Sequence, residues 1–399
     1  MISTFGDVFE VDPKIKIAKN SDVPFVEMAD IEPWARTVGS KGTKKFAAGS
    51  KFLDGDVLVA RITPSLENGK TSIYRASRSE KSAPAAGSTE FIVVRGIEGK
   101  SLSEFAYYLL RTTDLRSHLI ANMNGSSGRQ RVQSDALRNY VVDLPSLEEQ
   151  RRIAGVLGAL DDKIESNLRT ISLSESLILA HFSQLFNSGH VSAGTALSDL
   201  MEVNPRYSLK RESLAIKVSM QDIPSDSPVI NTHSVMPVGA GSRFSNGDVL
   251  FARISPCLEN GKTAVVDFLS GSEVGFGSTE FIILSPRGEI STTWIYALAR
   301  EPNFREACRQ AMSGSSGRQR LSADFFSRYT IATPKEFDLV AFNKATMPLL
   351  TLMGARRDEN QRLAQLRDAL LPELMSGRMR VDKAGCLVSE ALDEEVADV

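Results

Sequence analysis

The sequence predicts a mixed α+β (α/β) protein with two similar globular domains, separated and braced by two long helices. Three observations predict it. Residues 145–186 carry a continuous helical heptad pattern. Three motifs recur once in each half at a nearly constant offset, so the chain holds two copies of one domain. Residues 335–375, directly after the second copy, carry another run of apolar residues at 3- and 4-residue steps. The predicted order is a domain at 1–145, a helix at 146–190, a domain at 191–334, a helix at 335–380 and an acidic flexible tail at 381–399.

The repeat fixes the domains. RITPSLENGKT at 61–71 returns as RISPCLENGKT at 253–263, nine of eleven positions being equal. GSTEFI at 87–92 returns unchanged at 277–282, and MNGSSGRQR at 123–131 returns as MSGSSGRQR at 312–320. The offsets are 192, 190 and 189, far longer than the roughly 20–50-residue units of solenoids. Upstream, FGDVFEVDP at 5–13 faces LSDLMEVNP at 197–205. Within each copy, Gly55-Asp56 and Gly247-Asp248 are turns into the apolar runs VLVARI and VLFARI. FIVVR and FIILS read as short buried strands, because they are apolar and rich in β-branched residues. Residues 102–111 and 294–300 read as helices, and each copy closes in a strand and a proline, at 145 and 334.

The first long helix opens with Ser146 and Glu149, the S-x-x-E of a capping box. Leu157, Ile164, Ile171, Ile178 and Leu185 recur every seven residues, with Ile153, Leu160, Asn167, Ser174 and His181 as the complementary seam. At 1.5 Å per residue such a helix is a rod of roughly 60 Å. In the second, Leu339, Phe342, Leu349, Met353, Leu363, Leu370 and Leu374 form the stripe, with Asn360 on the same seam. Pro348 is expected to kink or restart that helix. Both seams are long and each carries one Asn, a common register-setting residue, so the two helices are expected to pair through Asn167 and Asn360.

Composition narrows the function classes. Net charge is −2, but residues 382–399 hold six acids and one base, a net of −5, so the other 381 residues carry +3. No global basic field results, and an anionic partner would have to be met by local patches. Three cysteines without a C-x-x-C fit a reducing cytosol, and the N-terminus has no signal-peptide pattern, so a cytoplasmic location is expected. No apolar run reaches the ~18 residues of a membrane span. His118, His181, His190 and His233 show no metal-ligand spacing. GKT in LENGKT imitates the end of a phosphate-binding loop, yet Pro64 or Pro256 stands where its first glycine belongs, and Glu67 or Glu259 would lie among the phosphates. NPRY at 204–207 imitates an amino-methyltransferase motif, but its counterpart is DPKI at 12–15 and no glycine-rich cofactor loop precedes either. No catalytic, cofactor-binding or metal-ligating residue is expected, and the chain reads as non-catalytic.

PSLEEQRRIAGVLGALDDKIESN, the second helical copy ending in ENQRLAQLRDALLPELMSGRMRV, and the paired GDVLxARI-x-P-x-LENGK and GSSGRQR motifs resemble the specificity (S) subunit of type I restriction–modification systems. The resemblance runs to about residue 381. It implies two target-recognition domains, each reading one half of a bipartite double-stranded DNA target. It further implies that the long helices form an antiparallel coiled coil, which sets the gap between half-sites and docks two adenine methyltransferase (M) subunits. Restriction/translocase (R) subunits would complete the assembly, and S-adenosylmethionine and ATP would belong to the partners. The first helix ends LILAHFSQLFNSGH and the second LRDALLPELMSGR, so contacts at those ends should differ. The competing readings are a stand-alone methyltransferase with a fused reader and a coiled-coil adaptor with no DNA role.

GSSGRQR suits DNA on its own chemistry. Its glycines let backbone N–H groups face a phosphate. Ser126 and Ser127 add hydroxyls, Arg129 and Arg131 supply charge and can fork onto guanine, and Gln130 can pair with adenine, the competing reading being a structural loop whose arginines are only solvated. Ser315, Ser316, Arg318, Gln319 and Arg320 repeat the set. Lys70 and Lys262 of LENGK join the candidates, as do Arg61 and Arg253, for which an internal ion pair with Glu67 or Glu90, and Glu259 or Glu280, is the competing role. Features equal in both copies should meet what the half-sites share, and base reading should lie where the copies differ. Those stretches are 14–51 against 206–243 and 75–86 against 267–276. They offer Lys41, Lys44, Lys45 and Arg78 in one domain, and Lys210, Arg211, Asn231 and His233 in the other.

Overall fold

The computed structural model describes residues 2–78, 80, 83–126, 128–186, 189–210, 212–315 and 317–393. It divides into two compact units, residues 1–163 with 363–399, and residues 164–362. Each unit takes one stretch of each long helix.

The strands foreseen from apolar runs form the middle of each domain. In the first unit Val57–Ala60 pairs antiparallel with Phe91–Gly96, Ala60 opposite Phe91 and Val57 opposite Val94. Thr71–Tyr74, Phe9–Val11 and Thr37–Val38 extend this to five strands. A four-stranded sheet of Thr43–Lys45, Asp22–Val26, Ala85–Gly87 and Ser50–Phe52 accompanies it. The second unit repeats the plan. Val249–Ala252 pairs with Phe281–Ser285, Ala252 opposite Phe281, beside a sheet of Ser234–Pro237, Leu214–Val218, Val274–Gly277 and Arg243–Ser245.

Period-2 geometry explains why the central strands read as unbroken apolar runs. Val249, Phe251 and Ile282 point into one core, shared with the helix Thr292–Arg300 and with both long helices. Leu250, Phe281 and Ile283 point into another, against Val218 and Phe244 of the second sheet. Both faces of the strand are covered, so neither alternate position can be polar. The glycine opening GSTEFI is required by close approach. A Cβ on Gly87 would lie 2.7 Å from the Val26 carbonyl oxygen, and one on Gly277 2.5 Å from that of Val218.

The first long helix runs Leu147–Leu185 and the second Glu336–Met375. Ser146 Oγ accepts the Glu149 N–H at 3.2 Å, which is the serine half of the expected capping box. The heptad seam is buried: Ile153, Leu157 and Leu160 in the first unit, Ile171, Ser174 and Ile178 in the second. In the second unit Asn167 Nδ2 donates to Asn360 Oδ1 at 2.9 Å, while the rings of Phe182 and Phe342 lie 6.1 Å apart. Numbers rise along one helix as they fall along the other, so the pair is antiparallel, the bracing expected of a coiled coil. The second helix continues through Pro348, and no restart occurs there. Pro348 and Lys344, whose carbonyl a residue at 348 would normally engage, are both exposed, so water can replace the lost bond.

One expectation fails at the C-terminus. Residues 381–393, expected to be part of a flexible tail, form the helix Val381–Asp393, with Val381, Ala384 and Val388 buried. An apolar stripe at helical spacing was hidden under the acidic count; residues 394–399 lie outside the described residues. Arg152 of the first long helix pairs with Asp382 there. The seam also holds charge. In the first unit the buried Asp161 accepts the Tyr108 hydroxyl at 2.7 Å and Arg367 Nη1 at 2.7 Å, with Arg111 at 4.0 Å. Burial pushes the Tyr108 phenol far above its ordinary range, so it stays a donor. In the second unit Glu175 accepts the Tyr296 hydroxyl at 2.5 Å, with Arg300 at 3.4 Å, and burial raises its carboxyl. Cys257, Cys308 and Cys386 are free thiols.

Asp161→Leu would leave the buried Arg111 without its carboxylate and Arg367 with only the exposed Asp368, and the first unit should lose about 3 kcal/mol. Urea unfolding of Asp161→Leu, Arg367→Met and the double variant measures the coupling. The double variant should lose less than the two single losses summed, whereas additive losses would show that the pair is uncoupled.

Candidate nucleic-acid interface

GSSGRQR is the tip of a β-hairpin in each unit. Met123–Asn124 pairs with Arg131–Val132 in the first, Met123 opposite Val132. In the second, Ser313 bridges Arg320. At the described residues the two loops share their turn geometry. Gly128 has φ +78° and Gly317 φ +78°, a left-handed setting that other residues rarely adopt, and the Arg129 and Arg318 amides each donate to the Ser126 and Ser315 carbonyls at 3.0 Å. The hairpin is tied to the central sheet, since Thr63 N–H donates to the Gln130 carbonyl at 3.0 Å and Ser255 N–H to that of Gln319 at 3.0 Å.

The seven-residue motif separates into two classes of side chain. Arg131 forks onto Glu90 through Nε and Nη2 at 2.9 and 2.7 Å, and Arg320 onto Glu280 at 2.9 and 2.6 Å. These two arginines are engaged inside their own domains, and the forks hold the hairpin feet. The Arg320 guanidinium keeps the Glu280 carboxyl below the usual carboxylate range, and Glu90 raises Arg131. Arg129 and Arg318 stand exposed with Ser126 and Ser315, and the Gln130 and Gln319 residues are half-buried. Ser127 and Ser316 lie outside the described residues.

The remaining candidates scatter. Lys70 Nζ donates to the Met28 carbonyl at 2.9 Å and Lys262 Nζ to that of Met220 at 2.7 Å, so both ammonium groups brace loops of their own domain. Neither expected carboxylate pairs with Arg61. Its Nε donates to the Val132 carbonyl at 3.1 Å and its Nη2 to Gln133 Oε1 at 2.8 Å, because Glu90 is taken by Arg131. Arg253 Nε is buried without a hydrogen-bond partner. Lys44 pairs with Glu27, its ammonium 4.9 Å from the Phe25 ring, and Lys45 beside it is exposed. Lys41 lies 3.4 Å from Asp30, and Arg78 and Lys210 are exposed. Arg211 lies outside the described residues. The Asn231 carbonyl accepts from Gln361 at 2.9 Å, and His233 stacks on Phe268 at 4.8 Å. Asn167 and Asn360 do meet, and Asn167 also donates to Glu359 at 2.8 Å. The sequence reading missed the basic residues at 14, 51, 206 and 243 as a group; aligning the copies by charge instead of identity would have found them.

Among the described residues, no group of three or more His, Cys, Asp or Glu side chains is placed to hold a metal ion, and no helix is long and apolar enough to cross a membrane. The arrangement offers exposed cations and hydroxyls on rigid hairpins, which suits recognition of an anionic polymer.

Comparison with known proteins agrees with that chemistry. Residues 1–172 match the family model of the type I restriction modification DNA specificity domain. The chain is similar to the type I restriction enzyme EcoEI specificity subunit of Escherichia coli, 27% identical over 184 residues, 44% of this chain and 30% of that protein. The aligned stretch is thus under a third of that relative's length. It is also similar to the MjaIX specificity subunit of Methanocaldococcus jannaschii, 22% identical over 324 residues, 71% of this chain and 70% of that protein. The crystal structure of the type I restriction–modification S subunit from M. genitalium shares the fold, with 15% identity, a TM-score of 0.53, and coverage of 94% of this chain and 95% of that one. Residues 1–172 thus carry the likeness to the type I specificity domain, and the fold over nearly the whole chain is similar to that of a solved S subunit.

Proposed function

We propose that this chain is the sequence-reading subunit of a type I restriction–modification complex, and that each of its two domains reads one half of a bipartite double-stranded DNA target. The observation that carries the reading is the twin hairpin. The described residues of the two GSSGRQR copies share one backbone setting at Gly128 and Gly317, each copy pinned by an internal Arg–Glu fork while Arg129 or Arg318 stays exposed. Identical loops suit what both half-sites share, the phosphate backbone. Discrimination between bases then falls to the stretches where the domains differ, 14–51 and 206–243.

The paired long helices would set the distance between half-sites and present a docking surface for two adenine methyltransferase subunits. Restriction/translocase subunits would join that complex. Transfer of methyl groups and ATP-driven cleavage belong to those partners, and the present chain supplies the address.

Arg129→Ala and Arg318→Ala should each weaken DNA binding and lower the slope of log K against log salt by about 0.9 for each phosphate contact removed. The preferred sequence should not change, as read by methylome sequencing of the assembled complex. A shifted motif in either variant would mean that the loop reads bases. Exchange of residues 1–145 for the equivalent domain of a relative should alter one half-site and leave the other. Change in both halves would overturn modular reading. One heptad inserted into both long helices adds about 10.5 Å. At about 1.7 Å of duplex axis per phosphate charge, two per base pair, the gap should widen by up to roughly three base pairs. An unchanged gap would leave the helices as a docking surface alone.

A further inference from the structure

Beside each hairpin lies a cleft that the two domains build from matched positions. The first is lined by Lys14, Lys51 and Arg61, the second by Arg206, Arg243 and Arg253. The three pairs share one offset, since 206 − 14, 243 − 51 and 253 − 61 all equal 192. Thr89 and Thr279 add a hydroxyl to each. The clefts measure about 380 and 590 Å³, against the ~30 Å³ that one water occupies.

Cations outnumber acids on both linings. The one acid on the first lining, Asp12, already accepts the Val93 N–H at 3.1 Å and the Ser134 hydroxyl at 2.6 Å, with Arg138 at 3.5 Å. Its counterpart in the second is Asn204, and no acid lines that cleft among the described residues. One cation on each lining is held in place. Lys51 lies over the Phe46 ring at 5.2 Å, and Arg243 Nη1 donates to the Tyr207 carbonyl at 2.8 Å. The second cleft also holds an orphan donor. Ser322 stands where the first domain has Gln133, the partner of Arg61, and Arg253 Nε is buried with no acceptor. A buried guanidinium N–H without a partner is costly unless a ligand supplies one.

The first cleft is joined to its hairpin by a side chain, and in the second the Leu321 N–H donates to the Arg253 carbonyl at 2.8 Å. Arg61 is both a wall of the cleft and the residue that grips Val132 at the hairpin foot, and Thr89 precedes the Glu90 that holds Arg131. Position and pattern agree on one ligand chemistry. Residues 14–51 and 206–243 diverge between the copies, yet both ends of the stretch keep a cation, lysine in one domain and arginine in the other. Charge kept while identity is lost fits a group that is the same in every half-site. We propose that each cleft seats a backbone phosphodiester of its own half-site, an anchor beside the hairpin that fixes the register of the domain on the duplex. This rests on the reading of the chain as a DNA-recognition subunit.

The test uses the full chain with its methyltransferase subunits, and labelled duplexes carrying the target or a scrambled sequence, titrated with salt. The variants are Lys14→Gln with Lys51→Gln, and Arg206→Gln with Arg243→Gln; the exchanges Lys51→Arg and Arg243→Lys are charge-keeping controls. Each glutamine pair should lower the salt slope by about 0.9 per phosphate lost, equally on both duplexes, with the preferred motif unchanged. The controls should keep the slope, which separates lost charge from lost folding. A wild-type slope in both glutamine pairs, with wild-type discrimination intact, overturns the clefts and spares the functional reading. A lowered slope in a complex that never discriminated target from scrambled duplex keeps the clefts and overturns sequence reading. A motif altered at one half-site would make the cleft a base reader and overturn the phosphate assignment. Inorganic phosphate, titrated calorimetrically at fixed ionic strength, is the last arm. Binding that is lost in the variants while their DNA slopes stay at wild type would assign the clefts to a free anion and overturn the proposal.

Discussion

A carboxylate buried on a helix seam must be met by a fixed donor, and in both units that requirement ties the long helix to its domain. In the first, Asp161 is met by Tyr108 of the domain and Arg367 of the second long helix. In the second, Glu175 is met by Tyr296 and Arg300 of the domain. Apolar burial along a heptad seam is nearly indifferent to a slip of one turn, because a leucine finds another leucine. A buried carboxylate is not, since a slip would leave it without its fixed donors. The Asn167–Asn360 bond adds a second, uncharged restriction of the same kind in the second unit. These polar contacts define which residues meet, and the apolar seam supplies most of the attraction.

A similar division of labour holds at the hairpins. The Arg131–Glu90 and Arg320–Glu280 forks are partly exposed, so they contribute little to global stability. Their geometry matters more than their energy. Each fork, with the main-chain bond to Gln130 or Gln319, fastens a short loop to the rigid central sheet. A loop held this way can present Arg129 or Arg318 without spending binding energy on ordering itself.

The fold class, the central strands and the helix seam were legible in the sequence because each follows from a period: 2 for a strand, 3.5 for a paired helix, about 190 for the duplication. The roles within the repeated motifs were not. Identity between copies marks Arg129 and Arg131 alike, although Arg131 is spent on Glu90 and Arg129 is exposed. Lys70 and Lys262 were attractive as cations, yet their ammonium groups meet main-chain carbonyls 42 residues away, a contact with no local signature. The terminal helix was hidden because net charge averages over an amphipathic stripe. Pro348 was read from propensity alone, which an exposed position in a packed helix overrides.

Under the proposed reading, two domains with equal hairpins and equal cationic clefts would hold the backbone equally, so their difference must lie in what else faces the duplex. The edge strand of the second sheet is where they differ most openly. Thr43–Lys45 is exposed at all three residues and carries two lysines. At the matching edge, Ser234–Pro237 is exposed at all four and carries Val235 and Met236, 63% and 41% accessible. An ammonium donor suits the O6 and N7 acceptors of guanine, whereas an apolar side chain suits the methyl of thymine. Large apolar groups left in water on an edge strand are also a liability for aggregation, which a domain tolerates more readily where that surface is covered in use. On that proposal, one duplicated fold would keep its grip on the backbone constant while exchanging the chemistry of a single edge.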